Sequence, residues 1–186
     1  MKNEDFITLA KKLGELKEIK RTGWVKEGIE NCESVADHSW RCAILGMILA
    51  DEHGLDSEKV TKMLLLHDVE EIITGDIIRG DKEKQNKDEV YKRELDAFKS
   101  VISSLPDNLQ EKYIALWKEY AECKTPEALL AKSIDRIEMV IQAMSYFEKY
   151  PEKKVLKLFM DENDLSIVAP ETQELIKLLL KRREEL

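Results

Sequence analysis

Glycine and proline are scarce in this chain, at seven and four residues of 186. Sandwiches and barrels turn often and consume both, so the shortage weighs against sheet architectures. Long apolar runs are absent as well. No window approaches the roughly 18 uninterrupted apolar residues of a membrane span, and no membrane partner is expected. The stretch Met1–Lys12 alternates charged and apolar side chains and lacks the apolar centre of a secretory signal, so the cytoplasm is the expected compartment. Cysteine is limited to Cys32, Cys42 and Cys123, an odd number without CxxC spacing. That excludes a disulfide framework and a thiolate zinc site. Basic excess is lacking too: 30 Lys and Arg face 38 Asp and Glu, a formal charge of -8. Broad binding to a nucleic-acid backbone needs a basic face, so no nucleic-acid partner is expected. A small phosphorylated substrate needs only local cations and stays open.

What is present favours helices. Apolar residues make up 43% and charged residues 37% of the chain, with Leu, Lys, Glu, Ile and Ala plentiful. One domain over 1–186 is expected, burying roughly 70% of its unfolded surface. Its motif-bearing core spans about 6–150, with C-terminal helices over 151–186. No repeat, low-complexity tract or linker divides it.

Phe6, Leu9, Ala10, Leu13, Leu16 and Ile19 keep helical spacing, and Thr22-Gly23 then predicts a loop to Asn31. Ser34 is the expected cap of a second helix through Ala50, and His53-Gly54 ends it, with His53 on the surface. Ser57 opens a third helix with Val60, Met63 and Leu64 on one face, closed by Thr74-Gly75-Asp76. The charged stretch Lys82–Arg93 reads mostly as a solvated helix face. Further helices are expected from Pro106, from Thr125-Pro126-Glu127 (proline is welcome at a first helical position) and from Pro170. No strand is convincing. The predicted fold is an all-α, single-domain helical bundle.

The third helix carries the informative residues. Its apolar stripe, continued from Val60, Met63 and Leu64, reaches His67 and Glu71, with Asp68 about 100° further round. Ionisable groups on a packed face cost several kcal/mol unless paired or metal-bound. His38, near the start of the second helix, and Asp135, in Ser133-Ile134-Asp135-Arg136, can complete a site. Two imidazoles and two carboxylates suit Mn, Fe, Co, Ni or Zn. A six-coordinate cation would keep positions for water and a phosphate oxygen. Each residue also has a plain structural reading: a satisfied helix-end histidine, half of an ion pair, or a solvent-facing glutamate.

The order His38, His67-Asp68, Asp135 resembles the HD superfamily of metal-dependent phosphohydrolases. The flanking stretches Arg21-Thr22-Gly23-Trp24, Glu33-Ser34-Val35-Ala36-Asp37-His38-Ser39 and His67-Asp68-Val69-Glu70-Glu71-Ile72-Ile73-Thr74-Gly75-Asp76-Ile77 are more specific. They are similar to the branch that contains bacterial 5'-deoxynucleotidases and HD domain-containing protein 2. The resemblance runs from about Phe6 to Tyr150. It implies an HD-type bundle, a homodimer, and hydrolysis of deoxyribonucleoside 5'-monophosphates to nucleoside and phosphate. Mn or Co is the implied activator, with Zn, Fe, Ni and Mg as further candidates.

Carried across residue by residue, the metal ligands are His38, His67, Asp68 and Asp135. Glu71 would orient or deprotonate the attacking water, with Asp68 assisting. Asp76 matches a substrate-pocket carboxylate near the sugar or the leaving oxygen, and Arg21 a phosphate-binding arginine. The bacterial enzymes place an aromatic residue directly after that arginine, whereas Thr22-Gly23 intervenes here. Trp24 is therefore read both as a base-stacking residue and as a packed loop aromatic. Two alternatives stay open: an HD phosphohydrolase acting on another small nucleotide, and a non-catalytic, metal-stabilised ligand-binding protein. A metal-free helical interaction module is the plainest rival.

Overall fold

Two of the longer helices begin at a capping side chain. Thr125 accepts the Ala128 amide ahead of Pro126, and Asn86 accepts the amides of Asp88 and Glu89. Each cap satisfies backbone donors that a helix leaves open at its start. The computed structural model describes residues 1–82, 84–152 and 169–185. In chain order the helices are α1 (Asn3–Gly14), α2 (Thr22–Lys26), α3 (Val35–His53), α4 (Ser57–Leu66), α5 (Glu71–Thr74) and α6 (Arg79–Lys82). They continue with α7 (Lys87–Val101), α8 (Asp107–Glu122), α9 (Pro126–Lys149) and α10 (Gln173–Glu184). Short 3₁₀ turns cover Glu15–Lys17 and Pro170–Thr172. Among the described residues there is no strand, only an isolated bridge between Lys20 and Ser34. The protein is all-α. None of these helices is long and apolar enough to cross a membrane. The cysteines are free thiols among the described residues, as expected. Residues 153–168 of the expected C-terminal helices lie outside the described residues.

The chain divides into two compact units, 1–37 with 66–118 and 38–65 with 119–186. The first is built on aromatic packing: Phe98 stacks on Trp117 at 5.8 Å and Tyr91 meets the same indole at 5.5 Å. Leu16, Trp24, Ile29, Val101 and Ile102 are buried with them. The second centres on α9, whose Leu130, Ile134, Ile137 and Val140 are almost fully buried. Each such side chain contributes about 1.5–3 kcal/mol through burial. Ser133 accepts the Ala169 amide at 2.8 Å, which ties the start of the final turn to α9.

Three features were not foreseen in the sequence. Thr22-Gly23 lies in a one-turn helix rather than a loop. Phe6 and Leu13 keep helical spacing, yet α1 buries no residue and both stay exposed. The third helix is interrupted: α4 stops at Leu66 and α5 restarts at Glu71. Between them Val69, Glu71, Ile72 and Ile73 each bond the carbonyl three residues back. These tighter turns move His67 and Asp68 out of the regular α-helical register.

In the second unit α3 and α4 approach closely at Gly46, where an added Cβ would lie 2.3 Å from Leu64 Cδ1 and 3.0 Å from Val60 Cγ1. Alanine has the higher helix propensity, but overpacking costs more. Gly46→Ala should therefore destabilise the protein by about 1–3 kcal/mol in urea titrations. A variant as stable as the parent would show that the two helices separate freely.

Candidate metal centre

In the second unit, α3 and α9 bring His38 and Asp135 together. His38 is fully buried, and its Nε2 lies 3.2 Å from Asp135 Oδ1. The other Asp135 oxygen accepts the Tyr120 hydroxyl at 2.9 Å. The opposite ring nitrogen of His38, Nδ1, is hydrogen-bonded to Glu138, which is also fully buried. Arg41 donates to Glu138 Oε1 and, at 2.6 Å, to Gln142. Burial alone would raise the Glu138 carboxyl, but the His38 hydrogen bond and the Arg41 charge outweigh it and hold it below its usual range. Cys42 Sγ lies 3.7 Å from both His38 nitrogens, and burial pushes its thiol up to about 12.

The first unit holds the remaining expected site residues. His67 Nε2 is 3.1 Å from Asp68 Oδ2, and Arg21 Nη1 is 3.4 Å from the same oxygen. Arg21 also stands 3.9 Å from Asp76 Oδ1. Asp76 anchors the start of α2: its carboxylate accepts the Thr22 amide and its carbonyl accepts the Thr22 hydroxyl at 2.6 Å.

Glu71 is buried, with Oε1 3.9 Å from Lys82 Nζ and no hydrogen-bond partner for Oε2 among the described residues. Burial, followed by the charges of Asp68 and Asp76, pushes its carboxyl well above the ordinary value. Next to it, buried Glu70 accepts the Trp117 indole at 3.1 Å. Desolvation and the Asp68 charge raise its carboxyl to about 8.

Trp24 takes the second of its two readings. It is 1% exposed, its indole donates to Glu33 at 2.9 Å, and no ring face is offered to a base. Sequence reasoning missed Glu138, Arg41, Tyr120 and Lys82. Glu138 carried one usable signal, an acid three residues beyond Asp135 on an otherwise apolar helix face.

The donors suit a divalent cation. Imidazole nitrogens and carboxylate oxygens are intermediate-to-hard ligands, and buried acids without full hydrogen bonding favour a nearby positive charge. This all-helical chain, with two buried histidines each beside a partly exposed aspartate, belongs to the HD-domain family. The HD domain profile matches residues 13–174. The chain is 40% identical over 168 residues to the 5'-deoxynucleotidase HDDC2 of Dictyostelium discoideum, covering 84% of this chain and 87% of that one. It is 34% identical over 171 residues to the 5'-deoxynucleotidase HDDC2 of Bos taurus, covering 92% and 82%. Among solved structures, a conserved hypothetical protein from Pyrococcus furiosus is 31% identical with a TM-score of 0.75, over 97% of this chain and 99% of that one.

Glu70 gives the metal-free protein a pH signature. Its folded value of about 8 exceeds the ordinary 4.5, so between those values the folded state keeps a proton that the unfolded chain has lost. Stability then falls as pH rises through this window. Glu70→Gln removes the effect, so in chelator-treated samples the variant should gain on the parent from about pH 5 to about pH 8, by a few kcal/mol. Urea titrations that stay parallel across this range would show that Glu70 ionises normally.

Proposed function

We propose that this protein is a metal-dependent phosphohydrolase that cleaves deoxyribonucleoside 5'-monophosphates to nucleoside and phosphate. The observation that carries the reading is the pairing of buried His38 with partly exposed Asp135, in which an imidazole nitrogen and a carboxylate oxygen face one another at 3.2 Å. The resemblance to 5'-deoxynucleotidases over most of the chain supplies the reaction and the substrate class.

His38, His67, Asp68 and Asp135 would hold the cation, Mn or Co first and Zn, Fe, Ni or Mg as alternatives. When bound, it supplies Lewis acidity toward phosphoryl oxygens and acidifies water. Arg21, drawn toward Asp68 and Asp76, binds the phosphate and offsets charge growing on the equatorial oxygens. Glu71 takes the proton of the attacking water, since a carboxyl raised by burial is a stronger base than an exposed one. Asp76, held by Thr22, or water supplies the proton that the departing 5'-oxygen takes up.

Phosphate release should appear with deoxyribonucleoside monophosphates and Mn or Co. It should fall at least about 100-fold in Asp68→Ala and in Glu71→Gln. Full turnover in Glu71→Gln removes that residue as base, and release only from triphosphates or from no nucleotide removes the substrate assignment.

The assembly we propose is a homodimer. Trp40, Ile44, Met47 and Ile48 form an exposed apolar stripe along α3, and a row of this kind is self-complementary across a two-fold axis. Ile44→Glu should convert a dimer to a monomer in light scattering, whereas a monomeric parent protein overturns the assignment.

A further inference from the structure

Asp135 and Glu138 are three residues apart on α9, and His38 and Arg41 three apart on α3, so each pair shares a helix face. Glu138 is fully buried, and both of its oxygens are engaged: Oε1 accepts from Arg41 Nε at 2.6 Å and Oε2 meets His38 Nδ1. An ionised carboxylate can only accept. Nδ1 must then carry a proton, and this contact turns Nε2, on the far side of the ring, toward Asp135 Oδ1. The Tyr120 hydroxyl fixes the second Asp135 oxygen, which limits that carboxylate's rotation. Nε2 and Asp135 Oδ1 stand 3.2 Å apart, close enough to share one cation.

We propose that Glu138 is a positioning residue: it selects the Nδ1–H form of His38 and aims Nε2 beside Asp135, with Arg41 holding the carboxylate in place. Histidines that bind metals commonly gain orientation and basicity from such an outer partner. The proposal rests on His38 being a ligand, as put forward above.

Two substitutions separate this role from simple pairing with Arg41. In Glu138→Gln an amide oxygen can still accept from Nδ1 but the charge is gone. In Glu138→Asp the charge stays but the carboxylate withdraws from the ring. Titration calorimetry with Mn(II) on the full chain reads affinity. Long-range ¹H–¹⁵N spectra of the metal-free chain, above the imidazole titration range, read the tautomer.

Glu138→Gln should bind within a few-fold of the parent and keep the Nδ1–H form. Glu138→Asp should lose about 10–100-fold in affinity and gain the Nε2–H form. If Glu138→Asp keeps parental affinity and tautomer, or binds more tightly than Glu138→Gln, the positioning role is overturned while the metal reading stands. His38→Ala is the separate control. Mn(II) binding it as tightly as the parent, or a parent chain that binds none, overturns the metal reading and this proposal with it.

Discussion

Burying ionisable groups inside a helical protein is the constraint on which this structure turns. A carboxylate or imidazolium removed from water costs several kcal/mol unless another charge or donor replaces the lost hydration. The chain answers with short local networks. In one unit Arg41, Glu138, His38, Asp135 and Tyr120 form a continuous series of contacts along α3, α8 and α9. In the other, Arg21 lies between two aspartates while Glu71 has Lys82 within reach. Neither network is a generic stabiliser, because apolar residues of equal volume would cost less to bury.

The first unit's network sets contrasting groups side by side. Arg21 is a permanent, planar cation set beside Asp68 and Asp76. Glu71 is the opposite, an acid whose surroundings resist its ionisation and so favour its taking up a proton. Asp76 spends its hydrogen-bonding capacity on the backbone and side chain of Thr22. Its position is thereby fixed by the fold rather than by a ligand.

Much of this was legible in the sequence, and the failures have physical causes. The apolar stripe of α9 and its Thr125-Pro126 start are strong local signals, and tertiary packing agrees with them. The stripe through Val60, Met63 and Leu64 correctly led to buried positions at His67 and Glu71. The helical register linking them did not persist, because hydrogen bonds to the third residue back interrupt the helix after Leu66. Periodicity cannot foresee such a switch, since both bonding patterns keep similar residues on one side over a single turn. Phe6 and Leu13 show the reverse case, in which amphipathic spacing is present but burial does not follow. Glu138 was hidden by its neighbours: Ile134, Ile137 and Val140 made the face look wholly apolar. Trp24 shows that a motif position does not fix a role, since only its depth distinguished a packing residue from a surface for a base.

Cys42 lies against both nitrogens of His38. Sulfur in that position could be expected to attract soft ions such as Cu(I), which bind thiolates strongly. Its surroundings keep the proton on, with a titration point of about 12, so at neutral pH almost no sulfur anion exists to compete. The thiol acts as an apolar wall behind the ring. In the metal-free protein an uncharged side chain therefore flanks the ring on that side.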